Sequence, residues 1–323
     1  IPAGLQKNLR EKIFEDFKAL FDEKSIKSKK SFSLSSPNRL VIVFEGLDKE
    51  IKIKSKEIKG PKTSAPDEAL EGFLRSNKIN KKDLFKKKTE KDQFYFYKTK
   101  SSILKTHDLL TYSIPKILSK YHWKKSMKWG NFELNWGRPL KSILSIFDKK
   151  IVNFEFYHLV SSNLTFIDKD FEEKKKSFEN FKKYNKFFEK LGVIVDHDKR
   201  LKMINKSFTK ILSKRKLKIN ENPQLIDEVV NLIDNPNVLL CKFDKNFLSV
   251  PKEILTLTME THQKYFPTFN EKNEITNEFL IVTNKKDHKG LIKLGNERVV
   301  DARLHDAEFF WNKDKTQNLV KKV

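Results

Sequence analysis

One stretch near the end of the chain has the densest set of reactive side chains. Residues 295–311, GNERVVDARLHDAEFFW, hold two arginines, four carboxylates and a histidine before two phenylalanines and a tryptophan. In a helix, its apolar side chains would form one stripe. The stripe consists of Val300, Leu304, Ala307, Phe310 and Trp311. We therefore interpret the stretch as a packing helix, with one partly buried ion pair that involves Arg298 or Arg303.

A second stretch mixes basic side chains with flat rings. Its cations are Lys124, Lys125, Lys128 and Arg138, and its rings are Trp123, Trp129 and Trp136. RNA-binding surfaces use this combination, because rings stack on bases while cations meet phosphates. In the alternative interpretation, the tryptophans anchor a loop in the core and only the charges face solvent. The sequence leaves both interpretations open.

A third stretch, residues 261–267 (THQKYFP), runs from polar residues into aromatic ones. We predict a strand over 264–269, in which the alternation of side chains would place His262 and Lys264 on one face. That face would be a binding patch. The alternative is a strand edge whose Tyr265 and Phe266 pack in the core.

The sequence has no recognisable catalytic signature. It contains no glycine-rich phosphate loop, no His-Glu-x-x-His pair and no nucleophile elbow. His305 and Asp306 could be half of a metal site, but a pair on a helix surface is the simpler interpretation. The single cysteine, Cys241, lies in an apolar run and is predicted to be a buried strand residue. We predict no catalytic residue and no metal ligand.

The composition favours an anionic partner. Lys and Arg outnumber Asp and Glu by 67 to 43, which gives a formal charge of +24 over 323 residues. Such a charge attracts phosphate-rich molecules, of which RNA is the first candidate. The bias toward Lys over Arg also fits compositional drift, which would raise the charge without any selected contact. No apolar run approaches the ~20 residues of a membrane helix, and no signal peptide is recognisable, so we expect a cytoplasmic protein without a membrane partner.

Periodicity predicts an α+β fold. An apolar stripe over residues 5–23 and a proline at position 66 indicate helices, and residues 94–97 (FYFY) indicate a strand. We predict four regions, listed in chain order: an α+β region at 1–164, a lysine-rich helical section at 165–235, a strand and hairpin region at 236–294 that returns to the α+β core, and a connecting helix at 295–323.

The three stretches, in this order and spacing, resemble the β subunit of bacterial tetrameric glycyl-tRNA synthetase. The segments that carry the resemblance are Met127-Lys-Trp-Gly130 with Arg138-Pro139, His262-Gln-Lys-Tyr-Phe266, Gly295-Asn-Glu-Arg-Val-Val300 and Asp306-Ala-Glu-Phe-Phe310, with Ile1-Pro-Ala3, Asn38-Arg-Leu40, Lys59-Gly-Pro61 and Phe247-Leu-Ser-Val-Pro-Lys252 in support. The chain departs from the family where Asn163-Leu-Thr-Phe166 replaces the usual Gly-His-Arg-Phe and lacks its basic pair. A role for that loop in this chain is therefore in doubt.

The resemblance implies an α2β2 ligase that attaches glycine to tRNA(Gly) with ATP and magnesium. It implies that the α subunit holds the active site and that the β subunit binds tRNA, so no cofactor is expected in this chain. The implied fold is like the B3/B4 module of phenylalanyl-tRNA synthetase, with a mixed sheet, a helical section and a final helix leading to an HD-like domain. The chain would be the N-terminal part of a longer subunit.

We therefore expect a non-catalytic tRNA-binding and assembly region. The residues predicted to contact tRNA are Lys124, Lys125, Lys128, Arg138, Lys264, Arg298 and Arg303. Two alternatives remain: a module that only docks against the α subunit or the rest of β, and a hydrolytic editing domain.

Overall fold

The computed structural model describes residues 1–89, 92–123, 126–167 and 174–316. The α-helices within these residues are α1 (Ala3–Glu23), α2 (Asp67–Asn77), α3 (Thr106–Ser119), α4 (Phe181–Lys190), α5 (His197–Arg215), α6 (Pro223–Leu232), α7 (Lys252–Leu257) and α8 (Leu291–Lys315). The strands are β1 (Lys30–Ser36), β2 (Arg39–Glu45), β3 (Glu50–Ile53), β4 (Glu57–Lys62), β5 (Leu84–Lys88), β6 (Gln93–Lys98), β7 (Ser102–Lys105), β8 (Ile146–Phe147), β9 (Lys150–Ile151), β10 (Glu155–Phe156), β11 (Leu159–Val160), β12 (Leu164–Phe166), β13 (Lys175–Ser177), β14 (Asn237–Lys242), β15 (Phe266–Phe269) and β16 (Ile275–Thr283).

The predicted α+β class is confirmed. Within the described residues the strands form small sheets whose pairs are all antiparallel, and the one parallel contact is an isolated bridge between Leu144 and Ser162. The likeness to the B3/B4 module and the four regional boundaries stay predictions. Helices α4, α5 and α6 lie in the range 165–235, and α8 starts at Leu291, before the range 295–323.

The first core forms around α1. Leu9, Ile13, Phe17 and Phe21 repeat at spacings of three and four, and all four side chains are buried, which confirms the predicted stripe. They pack against the β1–β2 hairpin, α3 and the segment 134–156. Burial of side chains this large contributes ~1.5–3 kcal/mol each, so the stripe holds α1 in place.

The sheet β14–β16–β15 is covered by helices on both faces. Leu240 and Leu280 face α5 and α6, whereas Cys241, Phe279 and Ile281 on the other face pack with α7 and α8. Side chains alternate along a strand, so strands covered on both faces become apolar throughout. Cys241 is fully buried, as predicted.

A smaller unit spans residues 57–98. The order of its strands is β4–β6–β5, and the central strand β6 confirms the strand predicted at 94–97. Helix α2 starts after Pro66, as predicted, and packs against β4. Gly60 leaves room for that contact, because a Cβ there would lie 3.0 Å from Cε1 of Phe73.

Candidate nucleic-acid interface

The segment 123–139, here called the Trp loop, contains the first group of predicted contact residues. Its base is closed by two backbone hydrogen bonds, from Met127 N to Trp136 O at 2.9 Å and from Trp136 N to Met127 O at 3.2 Å. Gly137 permits tight packing, since a Cβ there would lie 2.9 Å from Cε3 of Trp123. Lys124 and Lys125 lie outside the described residues.

The tryptophans of the Trp loop point inward. Trp136 is buried and meets Trp123 edge to face, with ring centroids 5.0 Å apart. Trp123, Trp129 and Trp136 all belong to or pack against the first core. The interpretation that the tryptophan rings anchor the loop is therefore the correct one. Lys128 and Arg138 are both exposed.

The stretch 261–267 does not form the predicted strand at its start. Residues 258–263 continue α7 as a π-helical turn, and Lys264 ends it in the left-handed conformation, with φ of 60°. The strand begins only at Phe266. The prediction that His262 and Lys264 share a strand face is therefore wrong.

Lys264 has a partner within the protein. Its Nζ lies 2.9 Å from Oε2 of Glu228 on α6, and its side chain is partly buried. Tyr265 and Phe266 are buried, so the packing interpretation of this stretch is confirmed. The ion pair partly neutralises Lys264, which makes it a weaker candidate for a phosphate contact than an unpaired exposed cation.

The stretch 295–311 lies on a helix, α8, as predicted. Val300 and Leu304 are buried against the second core, which is formed by the α7 and α8 side of the large sheet. Phe310 is 60% exposed, so the prediction that it widens the apolar stripe is wrong. Helical phase gave the direction of the stripe correctly, but the supporting core does not extend as far as Phe310.

The predicted ion pair of α8 is also wrong. Arg298 and Arg303 are exposed, and neither lies within 4.0 Å of a carboxylate in the part of the chain that the structure describes. Glu297 instead accepts a hydrogen bond from Lys242 N at 2.8 Å, which ties α8 to the end of β14. Both arginines are thus available to an external anion.

The structure brings together the stretches 261–267 and 295–311 but not the Trp loop. The hydroxyl of Tyr265 donates to the Asn296 side chain on α8, so Lys264 and Arg298 belong to one region built on the second core. The Trp loop belongs to the first core. The predicted contact residues therefore occupy two separate surfaces.

The segment 163–166, which departs from the family pattern, is not a loop. Residues 164–166 form β12, paired with β13. Arg39 donates to Phe166 O at 2.7 Å and to Thr165 Oγ1 at 3.3 Å, so a basic side chain from β2 reaches this strand. Lys175 lies over the Phe166 ring, with Nζ 4.7 Å from its centroid.

Sequence reasoning missed a buried polar network between α1, β1 and α5. Arg200 is fully buried and donates to three carbonyl oxygens, on Ser35, Ile194 and Val230, at 2.6–3.1 Å. Burial lowers the pKa of Arg200 to about 10, so its guanidinium stays charged at neutral pH. A signal was present, because the polar residues Gln6 and Arg10 continue the buried stripe of α1 toward its start.

Arg10 fixes the protonation state of a histidine in this network. A guanidinium can only donate, and Arg10 lies closer to Nδ1 of His197 (2.9 Å from Nη1) than to Nε2 (3.4 Å from Nη2), so Nδ1 is the acceptor. The neutral ring then carries its proton on Nε2, which lies 3.1 Å from Oδ1 of Asp198. Burial, followed by the charge of Arg10, lowers the pKa of His197.

The same histidine belongs to a compact group of metal-ligating side chains. Ligand atoms of Asp196, His197 and Asp198 lie within 4.8 Å of one another. Asp196 is already engaged, because it accepts from Lys199 N at 3.1 Å as the cap of α5. The Nδ1 lone pair faces Arg10, and the neighbouring cation opposes a metal ion. The group therefore serves helix capping and packing.

These features define an α+β protein in which four of the candidate site residues, Lys128, Arg138, Arg298 and Arg303, are exposed cations on elements fixed by buried apolar side chains. None of the described helices combines the length and apolarity needed to cross a membrane.

The chain belongs to the glycyl-tRNA synthetase β subunit family, whose model matches residues 1–323. It is 36% identical over 321 residues to the glycine–tRNA ligase β subunit of Rickettsia conorii (strain ATCC VR-613 / Malish 7), covering 99% of this chain and 48% of that protein. The corresponding subunit of Rickettsia felis is 34% identical over 322 residues, with the same coverage of 99% and 48%. The chain thus spans about half the length of the curated relatives it matches.

Proposed function

We propose that this chain supports glycyl-tRNA synthesis as a tRNA(Gly)-binding and assembly region of a β subunit. A separate α subunit would perform the adenylate chemistry with ATP and magnesium. Family membership supports the assignment to this system. The observation that carries the RNA part is the outward placement of Lys128 and Arg138 on a loop fixed by buried tryptophans.

The physical basis is charge held on a rigid support. A lysine or arginine that neutralises a phosphate releases counter-ions from the RNA, which drives binding without reading sequence. The Trp loop is anchored before RNA arrives, so binding requires less ordering of its backbone. Arg298 and Arg303 offer the same chemistry on α8, and the paired Lys264 ranks behind them.

The salt dependence of tRNA(Gly) binding tests this proposal. The test variant replaces Lys124, Lys125, Lys128 and Arg138 by Ala. The slope of log K against log salt should flatten by about 0.7–0.9 for each phosphate that the variant no longer neutralises.

A matched control removes the same number of charges elsewhere. It replaces the exposed lysines Lys202, Lys206, Lys210 and Lys214 of α5 by Ala. The slope of this control should stay near that of the unmodified chain. Equal slopes for the test variant and the unmodified chain would reject the Trp loop as an RNA-binding element.

A second candidate function is assembly with another protein surface. Phe309 and Phe310 are 61% and 60% exposed on adjacent positions of α8, and Leu291 and Leu294 are also exposed on that helix. Exposed apolar groups of this kind are typical of interaction sites. If the assembly role holds, replacing Phe309 and Phe310 by Ser should weaken copurification with the α subunit while tRNA(Gly) affinity is retained. Unchanged copurification would reject α8 as the docking element.

An editing activity that uses a thiol nucleophile has less support. The only thiol is on Cys241, which is fully buried between helices and sheet. Burial raises its pKa to about 12, so the thiol stays protonated and cannot act as a nucleophile at neutral pH.

A cytoplasmic location stays a prediction.

A further inference from the structure

The small sheet β4–β6–β5 carries phenylalanines and lysines on one face. Strand register pairs Phe96 with Lys59 on one side and Phe85 on the other, and pairs Phe94 with Lys87. Directly paired residues of antiparallel strands point to the same side. We call these five residues the Phe–Lys face.

The rings and cations of the Phe–Lys face are in contact. The rings of Phe85 and Phe96 stack with centroids 6.0 Å apart and an interplanar angle of 27°. Lys59 Nζ lies 3.7 Å from the centroid of Phe94, and Lys87 Nζ lies 5.6 Å from that of Phe96. The result is a layer of rings bordered by ammonium groups.

The opposite face of this sheet is the one covered by α2. Ile58 and Leu84, which both pair with Tyr97, are partly buried on their outer strands. On the Phe–Lys face, by contrast, Lys59, Phe85 and Lys87 are all exposed, and Phe85 retains 37% of its surface. The Phe–Lys face is therefore open to solvent at both outer strands.

Basic residues predominate on the three strands and acidic residues on the covering helix. Strands β4, β5 and β6 carry six lysines and one carboxylate, Glu57, which is paired with Lys87 at 2.8 Å. Helix α2 carries three carboxylates, Asp67, Glu68 and Glu71, and one arginine. The strands thus present positive charge with aromatic rings, and the covering helix presents negative charge.

We infer that the Phe–Lys face binds unpaired RNA nucleotides, with Phe85 and Phe94 stacking on bases and the surrounding lysines meeting phosphates. Aromatic stacking beside a basic track is how proteins hold single strands without reading sequence. A protein partner fits less well, because lysine is depleted at the centres of protein–protein interfaces. The inference rests on the proposed function for RNA as the partner, but it places unpaired RNA on a surface other than the Trp loop.

Binding of a short single strand tests the inference. The probe is a fluorescein-labelled oligouridylate of about ten nucleotides, within the usual site size of a single-strand-binding fold, followed by anisotropy on the 323-residue chain. Replacing Phe85 and Phe94 by Leu keeps apolar side chains in the sheet but removes both aromatic faces. The dissociation constant should rise at least about fivefold, which is the smallest effect expected when one base loses its aromatic stacking partner.

The matched aromatic control is Tyr112→Leu on α3, because Tyr112 is 70% exposed and lies outside the Phe–Lys face. Its affinity for the oligonucleotide should equal that of the unmodified chain. Equal affinity of the Phe85→Leu/Phe94→Leu variant and the unmodified chain would overturn the inference.

A charge variant keeps the inference testable if the leucine variant does not fold. Lys98 is exposed and follows Phe96 by two residues on β6, so it lies on the same side of the sheet. Lys59→Gln/Lys98→Gln leaves all rings in place and should flatten the salt slope by about 0.7 for each phosphate that is no longer neutralised. An unchanged slope would overturn the inference. The inference would also be overturned if either variant lost copurification with the α subunit but bound the oligonucleotide as well as the unmodified chain does. The Phe–Lys face would then be a protein-binding surface.

The two proposals fail in different ways. Lys128→Ala/Arg138→Ala should weaken tRNA(Gly) binding and leave oligouridylate binding intact. Unchanged oligouridylate affinity of the Phe85→Leu/Phe94→Leu variant would reject the Phe–Lys face, whereas an unchanged salt slope of tRNA(Gly) binding by the Lys128→Ala/Arg138→Ala variant would reject the Trp loop.

Discussion

The Trp loop and the Phe–Lys face use the same residue classes in opposite ways. In the Trp loop the rings lie in the first core, and Lys128 and Arg138 face solvent. On the Phe–Lys face, Phe85 is exposed, and lysine ammonium groups lie over neighbouring rings. The Trp loop offers RNA mainly its cations, because its one exposed ring, Phe132, already stacks on His158. The Phe–Lys face offers both charge and an exposed ring.

An aromatic and basic composition therefore does not by itself identify an RNA platform. The decisive factor is which side of the backbone faces a core. Trp136 is held inward by its bridge to Met127, whereas the register of β5 with β6 aligns Phe85, which stays 37% exposed, beside the buried Phe96. Substitutions in the two regions can test this contrast.

Removal of a ring should separate the two regions most strongly. Trp136→Ala should lower the free energy of unfolding by ~3–5 kcal/mol, because it leaves a cavity in the first core. Phe85→Ala should lower it by less than half as much, since Phe85 retains 37% of its surface. Urea denaturation of the 323-residue chain measures both. Equal reductions would contradict the contrast between an anchoring and an exposed ring.

Crowding at a glycine should distinguish the tight loop from an open helix surface. Gly137→Ala places a Cβ 2.9 Å from the Trp123 ring and should cost ~1–3 kcal/mol through displaced packing. Gly72→Ala on α2 is the matched control, because nothing lies within 4 Å of its Cβ position. It should stabilise the protein by up to ~1 kcal/mol. If Gly137→Ala left the free energy of unfolding unchanged, the Trp loop would not be tightly packed at Gly137.

Much of the scaffold was predictable from periodicity. The α1 stripe, the start of α2 after Pro66, the strand at 94–97 and the buried Cys241 all follow from local spacing. These features depend on which side chains repeat every two or every three to four residues, and that information is local.

The features that could not be predicted depend on tertiary context. The π-helical turn that ends at Lys264 is set by packing of Tyr265 beneath α8, which spacing does not reveal. Phe310 has the right helical phase, but the core that would cover it ends earlier along α8. The Phe–Lys face needs Lys59 and Phe85 beside Phe96, and only strand pairing brings together residues so distant in sequence.

The pair of the half-buried His197 and the buried Arg10 should make the stability of the fold depend on pH. Burial and Arg10 lower the pKa of His197, so the folded state binds its proton less readily than the unfolded state does. Stability should therefore be unaffected by this group above its unfolded pKa of about 6.5 and should fall as pH drops below that value.

Thermal unfolding at pH 7.5 and at about pH 5.5 measures the effect, with His197→Gln as the comparison. The unmodified chain should be destabilised more by acidification than the variant. An equal or larger destabilisation of the variant would show that His197 does not carry the pH dependence.

The smallest effect is expected at Lys264. Its ion pair with Glu228 is partly exposed, so Lys264→Ala should cost only ~0.2–1 kcal/mol of stability. Because Lys264 is already paired, Lys264→Ala should lower the affinity for tRNA(Gly) less than Arg298→Ala does. A larger drop in affinity for Lys264→Ala would reverse this ranking.

Ultraviolet cross-linking of tRNA(Gly) to the chain, followed by peptide mapping, tests most directly whether these two surfaces hold the RNA. We expect cross-linked peptides from 126–139, where the outward cations lie, and from 84–88 and 93–98, where Phe85 and Phe94 stack. Peptides of α5, which also carry exposed lysines, should remain free of RNA. Cross-links confined to α5, or spread evenly over all exposed lysines, would contradict RNA binding at the Trp loop and the Phe–Lys face.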